Sequence, residues 1–357
     1  MKIIQVIPHL NLGGAENMCE NLVYELKALG HEVIVVSLYE METAITQRLL
    51  SAGVDLRYLQ KKSGIDFSMF KKLKKLFKAE KPDIIHTHLA VTKYVIPVAK
   101  KLKIKVVHTI HSVATRELPK PERRFNKFFY KRKKAVPVAL SKQIQKTVLE
   151  EYRLPTDYVP VVFNGVDLSK CHPKQSYETN GSFKILHVGS FQEVKNHFGM
   201  IDAFEKFHKT HADSELHFVG DGARRPIIEQ LVKERGLSDA IIFHGFQASV
   251  HSFLSDADIF TLPSLYEGIP LSVAEAMGTG LPIVATAVGG IPDMLDDTSA
   301  LLVPVDSDAI ADAYEKYYLD QDLRKTHGLA ALALSKQFSA KIMAQKYLDI
   351  YSGANQA

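Results

Sequence analysis

Two glutamates in one short stretch carry the clearest chemical signal of this sequence. The stretch PSLYEGIPLSVAEAMG, which follows the apolar run ADIFTLP, places Glu267 and Glu275 eight positions apart. Pro270 suits the first turn of a helix, so Glu267 is expected in a loop and Glu275 inside the helix. The unbonded N–H groups of the helix start would then lie between two carboxylates. A diphosphate can rest on these N–H groups, with Glu275 on a ribose hydroxyl and Glu267 on a sugar hydroxyl.

The same stretch also has a purely structural interpretation. Acidic side chains near a helix start are common because they complement the helix dipole. However, Glu275 stands between the apolar pairs VA and AM, which predicts a partly buried carboxylate. A buried carboxylate needs a partner. We therefore favour a binding function for the two glutamates.

Two further groups follow the first apolar run of each half of the chain. Gly13–Gly14 open a helical pattern near the N-terminus, and Lys195, in GSFQEVKNH, holds the matching position in the second half. Glycines let backbone come close to an anion, and an ammonium can neutralise a departing diphosphate. Alternatively, Gly13–Gly14 form only a tight turn, and a lone loop lysine is usually just solvated. The patterns GxGxxG and GxxxxGK[ST] are absent, which disfavours nicotinamide and P-loop sites.

Four histidines lie near the ends of predicted strands. His86 and His88 alternate and so share one strand face, whereas His108 and His111 belong to the next strand. No carboxylate or thiolate accompanies them at a recognised metal-ligand spacing, so we expect no metal site and interpret most of them as packed or hydrogen-bonded structural histidines. His111, past the end of its strand, is expected to face a cleft.

Short apolar runs alternate with amphipathic stretches along the chain, which predicts strands and helices around parallel sheets. Helices are predicted over Ala15–Leu29, Phe198–His208 and Pro226–Arg235. The run KIIQVI at the front resembles KILHVG near Lys184, so we expect two Rossmann-like halves. The predicted strands are KIIQVIP, EVIVVSL, DIIHTHL, KVVHTI and AVPVAL in the first half, and FKILHVG, ELHFVG, AIIFHG, ADIFTLP and LPIVAT in the second.

The predicted Rossmann-like domains span 1–168 and 182–338. The polar stretch 167–181, with a proline and turn formers, is the expected linker. A helical pattern closes the chain, and we expect the segment 339–357 to pack back on the first domain.

Composition favours a soluble cytoplasmic protein. Of 357 residues, 46% are apolar and 24% charged, as in ordinary globular domains. The two cysteines, Cys19 and Cys171, are far apart, which disfavours disulfides and suggests a reducing compartment. The short N-terminal apolar run predicts a strand rather than a signal peptide, and no apolar window is long enough to span a membrane.

Basic residues concentrate in the first half, although the net charge is only +5. Six lysines lie within Lys71–Lys81, and Arg116–Lys134 holds nine Lys or Arg against two Glu, interleaved with aromatic residues. Such stretches can lie on an anionic membrane surface, so we hypothesise peripheral docking at the inner membrane face. A solvated helix face whose aromatics belong to the core explains them equally well. No nucleic-acid recognition motif is present, so no nucleic-acid partner is expected.

Motifs along nearly the whole chain resemble glycosyltransferase family 4, which has the GT-B fold. The motifs are GGAE (13–16), HTH (86–88), TIHS (109–112), FNGVD (163–167), VGS…KNH (188–197), VGDG (219–222), FHGF (243–246), LPSLYEGIPLSVAEAM (262–277), G-LP (280–282) and AVGGIPD (287–293). The resemblance implies an α/β protein with two Rossmann-like domains facing each other across a cleft, an acceptor-binding domain at 1–168 and a nucleotide-sugar-binding domain at 182–338. It also implies a retaining enzyme that moves a sugar from a nucleotide-sugar, with UDP as the family-level expectation, and needs no metal or other cofactor. The expected acceptor is a hydroxyl of a glycan or a lipid-linked molecule, in cell-surface polysaccharide or glycolipid synthesis.

The resemblance also implies roles for individual residues. It puts Glu267 near the hydroxyls of the transferred sugar, Glu275 on the ribose and Lys195 on the phosphates. It puts His111 against the sugar, so the implied catalytic residues are Glu267, His111 and Lys195. The remaining implied donor contacts are Gly14 at the phosphates, backbone of Gly268, Ile269, Pro270 and Leu271 at the sugar and diphosphate, and backbone near Phe246 and Gln247 at the base.

One position departs from the family pattern. The family usually has an arginine five residues before the phosphate lysine, where this chain has Ser190, which by its position counts among the implied donor-binding residues. Either Lys195 suffices together with two helix N-termini, or another cation such as Arg224 takes the place of the arginine.

Other functions remain open at the level of sequence. Two carboxylates also serve glycoside hydrolases. A nucleotide-sugar epimerase would share the two-domain architecture, and a non-catalytic sugar-nucleotide-binding protein would share the site.

Overall fold

The chain folds into two compact units, each described here by itself. The computed structural model describes residues 1–11 and 13–353. Residues 1–165 form the first unit together with the C-terminal segment from Ala340, and residues 166–339 form the second.

The first unit is built on a six-stranded parallel sheet with the order β3-β2-β1-β4-β5-β6. The strands are rich in Ile and Val, as expected for strands covered by helices on both faces. Their bounds are β1 Lys2–Ile7, β2 Glu32–Ser37, β3 Asp55–Tyr58, β4 Ile84–His88, β5 Lys105–Ile110 and β6 Val136–Ala139.

Helices connect these strands and bury apolar faces against the sheet. Leu22 on the first helix, Val35 on β2 and Tyr347 on the last helix belong to one buried core. The helices are α1 Gly14–Ala28, α2 Ala44–Ser51, α3 Ser68–Glu80, α4 Thr92–Leu102, α5 Ala114–Glu117, α6 Lys120–Lys131, α7 Lys142–Tyr152 and, after the second unit, α14 Ala340–Ser352.

The second unit repeats this topology, with the strand order β12-β11-β10-β7-β8-β9. Counted from its own first strand, this is the same order as in the first unit, the doubly wound Rossmann order. The strands are β7 Phe183–Val188, β8 Ser214–Val219, β9 Ile241–Gly245, β10 Ile259–Leu262, β11 Ile283–Thr286 and β12 Leu301–Val303. The helices are α8 His197–His208, α9 Arg225–Glu234, α10 His251–Asp256, α11 Leu271–Thr279, α12 Ser307–Leu319 and α13 Gln321–Ser335.

The predicted α/β class is confirmed, since both sheets are parallel and flanked by helices. Every predicted strand is present, but the sequence pattern missed β3 and β12, which lie at sheet edges. β3 is the mixed sequence DLRY without an apolar run, and β12 has only three residues. This explains why apolar periodicity did not reveal them.

The segment between the two sheets packs on the second unit. The Tyr177 hydroxyl donates to the Gly280 carbonyl at 2.8 Å, and Arg324 Nη2 donates to the Tyr177 carbonyl at 2.9 Å. The final helix α14 instead packs on the first unit. There, the Tyr351 hydroxyl lies 2.6 Å from His86 Nδ1 and the Tyr347 hydroxyl 2.7 Å from Thr109 Oγ1.

Among the described residues, none of the helices combines the length and apolar character needed to cross a bilayer.

Candidate functional site

In the second unit, the predicted site residues gather at the carboxyl ends of the strands. Lys195 follows β7 and Glu267 follows β10, and these two strands are neighbours in the sheet although β8 and β9 separate them along the chain. The chain leaves β7 toward one sheet edge and leaves β10 toward the other. Crevices at such a switch point are where open α/β sheets bind ligands.

Lys195 and Glu267 contact each other directly. Lys195 Nζ lies 2.7 Å from Glu267 Oε1, and the two side chains are only 16% and 8% exposed. Sequence reasoning assigned the lysine to the phosphates and the glutamate to the sugar, and the structure brings both to one point. A ligand that binds the Lys195 ammonium must therefore compete for it with the Glu267 carboxylate.

A second donor holds the same carboxylate oxygen. The buried Ser264 hydroxyl donates to Glu267 Oε1 at 2.6 Å, and the Ser264 carbonyl accepts a 2.6 Å bond from the Thr286 hydroxyl on β11. Within the described residues, Glu267 Oε2 has no hydrogen-bond partner. The arrangement fixes one oxygen of Glu267 and leaves the other available to a ligand hydroxyl.

Backbone bonds join the lysine loop to the glutamate loop. The Leu265 amide donates to the Val194 carbonyl at 2.8 Å, and Asn196 Nδ2 donates to the Pro263 carbonyl at 3.0 Å. Asn196 has a left-handed backbone (φ 56°), and its side chain accepts from the Gly199 amide to cap α8. Asn is one of the few residues that tolerates this conformation, so one residue ends the loop, starts the helix and anchors the neighbouring loop.

Close packing fixes the glutamate loop from its other side. The Gly290 amide donates to the Glu267 carbonyl at 3.1 Å. Gly289 has φ +60°, and a Cβ there would lie 1.7 Å from the Glu267 carbonyl oxygen. Only glycine allows this approach of backbone to backbone. The glycines of AVGGIPD thus position Glu267 and Gly268.

Helix α11 begins with free N–H groups beside the glutamate loop. Pro270, the N-cap residue of α11, makes no side-chain capping bond. The first turn of α11 holds no acidic side chain. The N–H groups that start at Leu271 are therefore open to an anion. Gly268, Ile269, Pro270 and Leu271 form the link from Glu267 to this helix start.

Glu275 lies one turn into α11 and is partly buried. Burial raises the pKa of its carboxyl to about 7, and the nearby Lys170 ammonium opposes the rise. Within the described residues its carboxylate has no hydrogen-bond partner in the protein. Such a group is ready to accept hydroxyls of a ligand.

Phe246 and Gln247 follow the end of β9. Phe246 is 46% exposed, so its ring is accessible to a planar ligand. Gln247 Nε2 donates to the His244 carbonyl at 2.7 Å. The Gly220 amide donates to the Gly245 carbonyl at 2.8 Å, which joins this loop to the one after β8.

Ser190 lies in the loop that follows β7, and its carbonyl accepts a 2.8 Å bond from the Gln192 amide. A serine supplies no positive charge. Arg224, the alternative cation, forms a 3.2 Å ion pair with Glu193, and Glu193 belongs to the same short 3-10 turn as Lys195.

In the first unit, His111 follows β5 and is held by other polar groups. Its Nε2 lies 3.1 Å from His88 Nδ1, and His88 Nε2 lies 2.9 Å from Gln5 Oε1. Burial, together with the neighbouring His108, lowers the pKa of His111 to about 3. A neutral imidazole exchanges single hydrogen bonds with a ligand and carries no charge at neutral pH.

The other histidines have structural partners, as the sequence suggested. His86 contacts Tyr351 and Thr109, and His108 Nδ1 lies 2.9 Å from Thr87 Oγ1. Across residues 1–11 and 13–353, no three His, Cys, Asp or Glu side chains are grouped in a way that could hold a metal ion.

Gly14 begins α1 at an exposed position, where an added Cβ would meet no atom within 4 Å. The buried carboxylate of Glu16 already lies at this helix start, 3.0 Å from His9 Nδ1, and it approaches Gly13 closely. An anion at Gly14 would meet this negative charge.

Sequence reasoning missed two residues that hold the candidate site residues in place. Ser264 stands three positions before Glu267, a spacing that allows a hydroxyl to reach the carboxylate in a tight loop. Glu117 has a side chain that is only 3% exposed, and its Oε2 accepts from the Ser112 amide at 2.9 Å, next to His111. Burial raises the pKa of Glu117 to about 8, against the opposing effect of backbone bonds from Ser112 and His111. In the sequence, Glu117 looks like one more surface charge within the basic stretch Arg116–Lys134, so it was not singled out.

Two family models match adjacent stretches that together cover residues 12–331 of the chain. The model "Glycosyltransferase Family 4" matches residues 12–170, and the model "Glycosyl transferases group 1" matches residues 171–331.

Curated relatives agree with these matches. The N-acetyl-alpha-D-glucosaminyl L-malate synthase of Bacillus anthracis is 29% identical, over 80% of this chain and 78% of that protein. The UDP-Gal:alpha-D-GlcNAc-diphosphoundecaprenol alpha-1,3-galactosyltransferase of Escherichia coli is 28% identical, over 61% of each chain.

Solved structures share the fold at lower identity. Anabaena HepE, solved in complex with UDP and glucose, matches with a TM-score of 0.86 and 18% identity, over 99% of each chain. A glycosyltransferase from Rickettsia africae matches with a TM-score of 0.85 and 22% identity, over 99% of this chain and 98% of that one. Fold and matched families together define a GT-B glycosyltransferase with two Rossmann-like domains. The chain belongs to glycosyltransferase family 4, as its motifs predicted.

Proposed function

We propose that this glycosyltransferase uses a nucleotide-sugar donor, with UDP as the nucleotide, and transfers the sugar with retention of its anomeric configuration. The observation that carries the proposal is the junction of Lys195, Glu267 and the open start of α11 at the switch point of the second sheet. This junction offers the Lys195 ammonium, the Glu267 carboxylate with one unbonded oxygen, and the free N–H groups at the start of α11. These groups are complementary to a sugar diphosphate.

Breaking the bond between sugar and phosphate builds positive charge on the sugar and negative charge on the diphosphate. The Lys195 ammonium and the N–H groups from Leu271 onward would stabilise the diphosphate as it leaves. Glu267 Oε2 would accept a hydroxyl of the sugar, and Glu275 a hydroxyl of the ribose. We assign no covalent nucleophile. His111, neutral at physiological pH, would contact the sugar as a hydrogen-bonding group.

Neighbouring loops supply the remaining donor contacts. The exposed ring of Phe246 would border the base together with Gln247. Donor binding would move the Lys195 ammonium from Glu267 to the diphosphate. We propose that no metal takes part, because ammonium and helix N–H groups fill the charge-stabilising role.

For the acceptor, we propose a hydroxyl of a glycan or of a lipid-linked molecule, in polysaccharide or glycolipid synthesis. Support comes from the Escherichia coli relative, whose name specifies a diphosphoundecaprenol-linked acceptor. The first unit offers a surface for such a lipid. Helix α3 buries Met69, Leu73 and Phe77 and turns its lysines outward, and both α3 and α6 pack on α4.

Exposed apolar side chains accompany these lysines. Phe67 and Ile65, just before α3, are 76% and 70% exposed, and Phe128 on α6 is 46% exposed, whereas Tyr130 belongs to the core. Lysines with exposed aromatic and aliphatic groups favour an anionic membrane surface. Sedimentation with neutral and anionic liposomes tests this: we expect binding to anionic vesicles only. Equal binding to both, or to neither, would exclude an anionic-lipid surface.

A thermal-shift screen tests the donor directly. UDP, GDP, ADP and their sugars are compared, because a ligand of the native state raises the melting temperature according to its affinity and concentration. We expect the largest rise with UDP or a UDP-sugar, and a smaller one in the Lys195→Ala variant. The anomer of the product, followed by NMR once a donor is known, tests retention. A folded protein that responds to none of these ligands would refute the donor proposal.

A further inference from the structure

Arg224 lies beside the proposed diphosphate site and has no role in the scheme above. It follows β8, whereas Lys195 follows β7, the adjacent strand. The Phe191 amide donates to the Asp221 carbonyl at 3.0 Å, and the Arg224 amide donates to the Phe191 carbonyl at 3.3 Å. The two loops that carry the cations are therefore bonded side by side.

The guanidinium of Arg224 turns toward the lysine loop. Its Nη1 lies 3.2 Å from Glu193 Oε2, in the 3-10 turn that contains Lys195. Its central carbon lies 5.4 Å from the ring centroid of Phe198, in the first turn of α8. Burial, together with the charges of Lys195 and Arg224, lowers the pKa of His197 to about 4. Both cations are thus within electrostatic reach of one buried imidazole.

Charge balance favours a second cation beside Lys195 and the free N–H groups of α11. A nucleoside diphosphate brings several negative charges, but Lys195 supplies one positive charge, which Glu267 already neutralises. We propose that Arg224 is the second cation of the donor site and binds the diphosphate of the nucleotide. This inference rests on the proposed function and names a further binding residue for it.

Separating Arg224 from Glu193 costs little free energy. The Arg224 side chain is 33% exposed and that of Glu193 is 81% exposed, and ion pairs of this kind contribute little to stability. A diphosphate can therefore displace the Glu193 carboxylate and gain a forked, charge-assisted contact. The Lys195–Glu267 pair is far more enclosed, so its ammonium is the harder of the two to recruit.

The adjacent arginine is a weaker candidate because other groups already hold it. Arg225 Nε donates to Glu229 at 2.7 Å, and its Nη1 lies 3.6 Å from Asp221. Its guanidinium also lies 6.0 Å from the centroid of the Phe243 ring.

The experiment compares binding of nucleoside diphosphates and nucleosides by calorimetry. UDP, GDP and ADP, each with its nucleoside, are titrated into the wild type, Arg224→Gln, Arg224→Lys and Arg235→Gln. Arg235 is the matched control, since it pairs with Asp202 and Glu205 at the far end of α9. We expect Arg224→Gln to weaken UDP binding about 3- to 10-fold and to leave uridine binding unchanged. Arg224→Lys should lose less, and Arg235→Gln should match the wild type.

Two results would overturn the inference while leaving the donor proposal intact. One is wild-type UDP affinity in Arg224→Gln, and the other is an equal loss of UDP and uridine affinity. A folded wild type that binds none of the three diphosphates would overturn the proposed function as well, so the two failures are distinguishable.

Discussion

Removing one buried hydroxyl tests whether Glu267 acts from a fixed position. In Ser264→Ala, Glu267 Oε1 loses its 2.6 Å hydrogen bond from the serine but keeps the 2.7 Å bond from Lys195. A hydrogen bond to a charged group contributes about 1.5–3 kcal/mol. In the proposed donor complex Lys195 has moved to the diphosphate and Ser264 is the remaining donor to this oxygen, so the lower value is a minimum. Each 1.4 kcal/mol is about tenfold in rate or affinity, so turnover should fall at least about tenfold.

The assay follows release of UDP from the UDP-sugar that gives the largest thermal shift. The bond to Glu267 Oε1 orients Glu267 Oε2 toward the sugar. The loss in Ser264→Ala should therefore appear in kcat for the sugar-nucleotide, whereas the affinity for free UDP should be nearly unchanged. Ser335→Ala is the matched control, since this buried serine of the same unit donates only to the Leu332 carbonyl, at 2.8 Å. It should lose stability but not turnover.

A double-mutant cycle distinguishes a positioning role of Ser264 on Glu267 from a general loosening of the loop. If Ser264 acts through Glu267, then Ser264→Ala should have no further effect on turnover in a Glu267→Ala background. An equal loss in both backgrounds would show that the serine acts independently of the glutamate. Wild-type turnover in the single variant would refute the positioning role altogether.

Four further outcomes follow from the structure. Because the pKa of Glu117 is raised to about 8, its protonated form adds stability that is fully present below the ordinary glutamate pKa and is lost as pH rises through 8. Urea unfolding of Glu117→Gln should therefore lack this decline, and an unchanged pH dependence would contradict the assignment. Gly289→Ala should lower melting temperature and activity because its Cβ would meet the Glu267 carbonyl at 1.7 Å, whereas Gly14→Ala, with open space around it, should stay folded; equal melting temperatures would be evidence against the close approach. Tyr351→Phe leaves His86 Nδ1 without its 2.6 Å partner and should cost about 1–3 kcal/mol in urea unfolding, and a neutral result would mean that this bond contributes nothing. Prolonged treatment with EDTA should leave sugar transfer unchanged, and a loss restored by Mg²⁺ or Mn²⁺ would contradict metal-free donor binding.

The main architecture was predictable because apolar runs mark strands that are buried on both faces. Two strands were not predicted, because β3 (DLRY) lacks an apolar run and β12 (LLV) has only three residues. Motif position identified Lys195 and Glu267 as candidate residues. Their direct contact did not follow from sequence, because the register of two loops decides which side chains meet.

Buried polar residues were the least predictable part of the candidate site. Glu117 lies in a strongly basic stretch, where its charge suggests a solvated surface, yet the fold encloses its side chain beside the His111 loop. Ser264 is an ordinary small residue by sequence. Its role depends on the 2.6 Å distance that one particular loop conformation creates.

A crystal structure of the protein with bound UDP tests the central claim most directly. Our expectation is that the diphosphate lies within hydrogen-bond distance of Lys195 Nζ and of the first free amides of α11, with the ribose at Glu275. UDP bound at another surface, or bound at this edge with Lys195 still on Glu267 and the start of α11 unoccupied, would contradict it.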